Sequence, residues 1–130
     1  MVAGTTRRLR CHCGAVELEL RNVPPLATAG HCNCSYCRRR AAATLSVKLP
    51  DLTVLKGQDA LSLYTFNTGT AKHHFCRHCG IYTHHQRRSD PSEYGVNLGA
   101  IEGVNPSTLE PLPWSDGVNH VSDREDPDES

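Results

Sequence analysis

From Ala15 to Leu20 the chain alternates apolar and acidic residues. A period of two is the mark of a strand with one face buried, and Asn22 to Pro25 supplies the signals that end it. Thr44 to Leu49, Leu52 to Leu55 and Leu61 to Phe66 are further short strand candidates, separated by Pro50-Asp51 and Lys56-Gly57, so the middle of the chain reads as a meander. Glu93 to Leu98 is one more. His73-His74-Phe75 and Gly80-Ile81-Tyr82-Thr83-His84 flank a tight hairpin tip, where Gly80 can take a positive φ. The single helical signal runs from Ser35 to Ala43, rich in Arg and Ala, with Ser35 placed to cap its start and Cys37 in its first turn.

Three tight cysteine clusters interrupt this pattern: Cys11-His12-Cys13, Cys32-Asn33-Cys34-Ser35-Tyr36-Cys37 and Cys76-Arg77-His78-Cys79. Cysteines buried as small hydrophobes would lie in apolar runs, whereas these lie among Gly, Asn, Ser, His and Arg. Spacings of two and three residues put two thiolates on one ion. Cys11/Cys13 and Cys76/Cys79 each bring two sulfurs from a turn beside a strand, the way zinc ribbons staple distant hairpins into a closed site of four thiolates. Cys32, Cys34 and Cys37 can bring three sulfurs to a second ion, whose remaining position is then open to water or substrate. The expectation is two Zn²⁺ per chain, one structural and one reactive. An all-thiolate open site favours a soft ligand, so a small thiol is the natural substrate. The competing reading is a closed site in which His31 or another histidine supplies the fourth ligand.

Composition narrows the setting. A chain of 130 residues is one domain that buries roughly two-thirds of its unfolded surface. Aromatics make up only 5%, so the core is thin and metal crosslinks would replace missing apolar burial. Lys plus Arg equals Asp plus Glu at 14 each, which gives no overall pull toward nucleic acid or acidic membranes. No apolar run suffices for a signal-peptide core or a membrane span, and the odd count of seven cysteines speaks against a disulfide framework. These point to a soluble cytoplasmic protein. From Asp123 the chain is acidic and free of apolar residues, predicting a disordered tail.

Arg38, Arg39 and Arg40 follow the central cluster directly. They read either as a solvated helix face or as guanidinium forks for the carboxylates of an acidic thiol such as glutathione. His12 and His78 sit inside the other clusters and read as neighbours of the metal or as exposed groups. His73, His74, His84 and His85 read as polar strand ends, one of which could serve the open site as an acid or base. Trp114 or Phe66 on an exposed surface would suit a non-catalytic zinc module that binds a protein partner. Arg87-Arg88 together with Arg38 to Arg40 is the candidate for nucleic-acid contact, which the neutral balance disfavours.

At this point the residues resemble the glutathione-dependent formaldehyde-activating enzymes, also called the GFA or CENP-V domain family. Cys11-His12-Cys13-Gly14-Ala15-Val16 is similar to the family's opening CxCG, and Cys32-Asn33-Cys34-Ser35-Tyr36-Cys37-Arg38 to its central CxCSxCR. Phe75-Cys76-Arg77-His78-Cys79-Gly80 is similar to its FCxxCG knuckle. Val96 to Ile101, followed by Asp116-Gly117-Val118-Asn119-His120, resembles its closing strand and DGxN turn. The resemblance implies a mainly β fold of the β-tent kind, coiled sheets stapled by zinc with at most one short helix, over residues 8–121, with 122–130 as the tail. It assigns the structural zinc to Cys11, Cys13, Cys76 and Cys79, and the reactive zinc to Cys32, Cys34 and Cys37. The activity it implies is carbon-sulfur lyase chemistry on S-(hydroxymethyl)glutathione. Arg39 to Ala43 replaces the Gly-containing apolar segment of many relatives.

Overall fold

A computed structural model describes residues 5–66, 71–87 and 90–116. The predicted acidic tail, Arg88 and positions 117–120 lie outside the described residues. Among the described residues, ten strands and one short helix make the fold mainly β. An antiparallel three-stranded sheet holds β1 (Thr5–Arg10), β2 (Glu17–Val23) and β5 (Leu52–Lys56), with β2 in the centre. A five-stranded antiparallel sheet has the order β4 (Thr44–Lys48), β9 (Glu93–Asn97), β8 (Tyr82–Gln86), β7 (Lys72–Cys76) and β6 (Leu61–Tyr64). The two-residue strands β3 (His31–Cys32) and β10 (Trp114–Ser115) pair in parallel. Helix α1 (Ser35–Arg40) follows β3.

The alternation in β2 works as its sequence implies. Leu18 and Leu20 are fully buried, while Glu17 and Glu19 face outward to Arg8, Arg10 and Arg21. Those leucines meet Leu45 and Val47 of β4, Val96 of β9 and Leu9 of β1 in one core, which also takes in Cys11 and Cys76. Each fully buried leucine contributes about 1.5–3 kcal/mol. Two of the seven sulfurs therefore sit at the edge of the core.

The structure corrects the reading in four places. The segment from Thr44 to Phe66 is not a meander: β4 and β6 belong to the five-stranded sheet, and β5 crosses over to pair with β2. Short 3₁₀ turns at Leu49–Asp51 and Gln58–Ala60 redirect the chain at both crossings. Strand β1 carried no alternation to detect, because only Leu9 of its residues is buried. Helix α1 stops at Arg40, since Ala41 turns left-handed at φ 54°. Its cap is Cys34 rather than Ser35: the Cys34 sulfur accepts from the backbone N–H of Cys37. No helix among the described residues is long and apolar enough to cross a membrane.

Candidate functional site

The first sulfur cluster forms where the β1–β2 turn meets the β7–β8 turn. In each turn a glycine follows the second cysteine at positive φ, 82° at Gly14 and 78° at Gly80, and the chain folds back tightly enough to converge two sulfurs. Cys13 Sγ lies 3.7 Å from Cys11 Sγ and 3.7 Å from Cys76 Sγ, and all four sulfurs lie within 4.8 Å of one another. A disulfide would need about 2.05 Å. A tetrahedral zinc with bonds of about 2.3 Å sets its sulfurs about 3.8 Å apart, so this cluster fits that ion. Backbone N–H groups of Val16 and His78 donate to Cys11 and Cys76 at 3.3 and 3.4 Å, as thiolates require.

The second cluster is local. Cys32 ends β3, Cys34 caps α1 and Cys37 lies in its first turn, which brings the three sulfurs within 4.8 Å of one another. No imidazole or carboxylate joins that group among the described residues. His31 instead shares a 2.8 Å hydrogen bond with Glu110 and stacks on Trp114, ring centroids 4.5 Å apart. Hydrogen bonds with Cys32 and Cys37 hold the Cys34 thiol far below its ordinary pKa. Those with Cys32 and Cys34, and then burial, push Cys37 up. Sulfurs that divide protons in this way are relieved by a cation that replaces the protons, so this donor set also suits zinc.

These three sulfurs line a cavity of about 360 Å³, large enough for a small molecule. Trp114 and Pro113 line it together with Phe66 and Ala71, and its polar lining includes His31, His73, His85, Arg40 and Arg87. His73 and His85 pair across β7 and β8 and stack at 5.0 Å. The Arg40 guanidinium donates to His73 Nδ1 at 3.0 Å. Tyr82 Oη donates to the Gly95 carbonyl at 3.0 Å and lies 2.6 Å from His85 Nδ1. A phenol has one proton, so both contacts are hydrogen bonds when His85 Nδ1 carries the other, which leaves His85 Nε2 as an acceptor. Burial, and then the charge of Arg40, push His85 down to about 2, so the ring is neutral. His74 and His84 stack with each other at 4.5 Å and do not line the cavity.

Of the arginines singled out by sequence, Arg38 and Arg39 are exposed and away from the cavity, and Arg39 donates to the Ser35 carbonyl. Only Arg40 of the three lines it. His12 is exposed, and so is His78. Trp114 is 62% exposed and Phe66 half-buried, both on the cavity wall. The wall from Pro113 to Ser115 had no sequence signal beyond its tryptophan, because a two-residue parallel pairing with β3 leaves no period to read. Arg87, which sequence offered for nucleic acid, donates to Ser46 and faces Glu93 at the cavity.

The comparisons with known proteins agree with this geometry. A family model described as glutathione-dependent formaldehyde-activating enzyme matches residues 6–113. A crystal structure of a Rhodobacter sphaeroides protein is 56% identical in sequence and superposes with a TM-score of 0.81, covering 83% of this chain and 99% of that one.

Proposed function

The chain belongs to the glutathione-dependent formaldehyde-activating enzyme family, and from that premise we propose that it is a cytoplasmic zinc-dependent carbon-sulfur lyase. Its substrate is a thiol-aldehyde adduct such as S-(hydroxymethyl)glutathione. The observation that carries this reading is the position of the three-sulfur cluster, on the floor of a cavity and without a fourth protein ligand among the described residues. Cys32, Cys34 and Cys37 would hold one zinc, and Cys11, Cys13, Cys76 and Cys79 a second that serves the fold. Bound at the cavity, zinc supplies a Lewis acid that stabilises the substrate sulfur as a thiolate near neutral pH.

The remaining chemistry falls to the lining. In the lyase direction the adduct's hydroxyl loses its proton, the oxygen pair forms the carbonyl, and the carbon-sulfur pair leaves with sulfur. The proton needs an acceptor within reach. Three imidazoles line the cavity, each bonded at one nitrogen: His31 Nε2 with Glu110, His73 Nδ1 as acceptor from Arg40, which places a neutral ring's own proton at Nε2, and His85 Nδ1 with Tyr82, which leaves Nε2 as an acceptor. His85 Nε2 makes no hydrogen bond among the described residues, and this neutral ring is therefore assigned the task of accepting the hydroxyl's hydrogen bond and orienting it, the proton passing on to solvent. Trp114 and Phe66 wall the cavity against water, which would otherwise compete for sulfur.

Exchange spectroscopy by NMR on glutathione plus formaldehyde tests the activity. The protein should speed interconversion of adduct and free components, and an exchange rate unaffected by the protein sinks the lyase reading. The second reading, a non-catalytic module for a protein partner, draws on the exposure of Trp114. It gains only if exchange is unaffected and Trp114→Ala abolishes capture of a specific partner.

A further inference from the structure

Arg40 is a half-buried cation with unusual partners. Arg8, Arg10, Arg21 and Arg87 each face a carboxylate, whereas no carboxylate pairs with Arg40 among the described residues. Its Nη2 donates to Cys37 Sγ at 3.4 Å and its Nη1 to His73 Nδ1 at 3.0 Å. The rings of Tyr82 and Tyr36 cover it, with centroids 3.7 and 5.0 Å from the guanidinium carbon. A charge taken out of water needs a counter-charge. The partner within its reach that can carry the opposite charge is Cys37 Sγ, which would be a thiolate once the three sulfurs hold a divalent ion. Helix geometry makes the pairing possible, since residues three apart on α1 share a face, and the left-handed turn at Ala41 ends the helix directly after Arg40.

Three thiolates on a divalent ion carry one net negative charge, and a fourth makes it two. In a half-buried site the second charge is costly unless something offsets it. We propose that Arg40 is the positioning residue that lets the Cys32/Cys34/Cys37 centre accept an anionic sulfur from the cavity, offsetting the added charge through its hydrogen bond to Cys37. The inference rests on reading that centre as a thiol-binding zinc site. It replaces carboxylate recognition as the task of this arginine and leaves Arg38 and Arg39 without one in the cavity.

The test uses the full chain with cobalt in place of zinc and follows the visible bands during titration with glutathione, 2-mercaptoethanol and imidazole. Arg40→Gln should weaken both thiols by about thirtyfold or more and leave imidazole, a neutral ligand, unchanged. Arg40→Lys should fall between, about tenfold weaker than the parent. Arg38→Gln and Arg39→Gln should match the parent. Because 2-mercaptoethanol has no carboxylate, a loss confined to glutathione would overturn the proposal in favour of carboxylate binding, and so would equal affinities in Arg40→Gln and the parent. The bands of the four-sulfur site report folding in every variant. If Arg40→Gln loses them, Arg40→Lys decides, and a parent-like affinity there overturns the proposal. A parent protein whose bands ignore every thiol sinks the thiol-site reading itself, and this inference with it.

Discussion

The two sulfur clusters use the same chemistry at opposite ranges of the chain. In one, Cys13 meets Cys76 across 63 residues, and its partners Cys11 and Cys76 are sealed against the core. In the other, Cys32 to Cys37 gather around one capped helix start, half-buried above a cavity. A crosslink that closes a loop of some sixty residues restricts the unfolded chain by about 4 kcal/mol, and one that closes a six-residue loop by about 2 kcal/mol. The long-range cluster is thus the one whose loss the fold cannot absorb. The local one is already shaped by β3 and α1, and an ion held there would be free to take a ligand.

The sharpest way to break this comparison is to remove one sulfur from each side. Cys79→Ser should unfold the chain or render it insoluble, because a structural zinc site is worth about 10–16 kcal/mol in isolated fingers and a domain holds only about 5–15 kcal/mol in all. Circular dichroism and metal content of the purified variant check this. Cys37→Ser should keep the β spectrum and one ion, lose the thiol response entirely, and lower the melting temperature by only a few degrees. Equal thermal losses in the two variants would show that the sites are not divided into staple and reactive centre.

What could be read from sequence follows the same division. Cysteine spacing reveals which sulfurs meet, because the geometry a metal ion would require is set at short range and survives any detail of the fold between. Strand alternation reveals β2, where one face meets the core, and short stretches between turn signals reveal β4 and β9. Alternation misses β1, whose contact with the core is Leu9 alone, and it misreads β5, since period says which face is buried and nothing about which strand lies alongside. The cavity was the least legible part. Its walls come from Phe66, His73, His85, Arg87 and Trp114, brought together by pairing between strands distant in sequence. Arg40 differs from Arg38 and Arg39 only by its place on a helix whose end at Ala41 has no composition signal.

A smaller perturbation separates the cavity from the staple without touching sulfur. A Cβ added at Gly95 would meet His85 Cε1 at 2.5 Å, so Gly95→Ala must push the ring that is assigned to orient the adduct's hydroxyl. Overpacking of this kind costs about 1–3 kcal/mol. The exchange rate should fall at least about tenfold, since a misplacement of about 1 Å at a group that positions the reacting atoms can cost about a hundredfold. Metal content should stay at two ions and the cobalt response to thiol should persist. Loss of thiol binding together with exchange would mean that Gly95 supports the metal centre rather than the orienting ring.

The smallest expected effect concerns the Trp114 wall. Glu110 accepts from His31 and from the backbone N–H of Leu112, and these bonds, the His31 bond first, hold its carboxyl below the usual 4.5. A depressed carboxylate contributes its stability above the ordinary value and loses it as pH falls through the lower folded value. The wall should therefore loosen only below pH 4.5, and Trp114, stacked on His31, should report it by fluorescence. Glu110→Gln keeps the shape and removes the titration, so its Trp114 signal should be flat across that range while the melting temperature stays within about a degree or two, as expected for an exposed pair. A parent signal that titrates identically in Glu110→Gln would assign the loosening to another group. If Glu110→Gln also left glutathione exchange unchanged, the Trp114 wall would be shown to keep its place through stacking and the β3–β10 pairing alone.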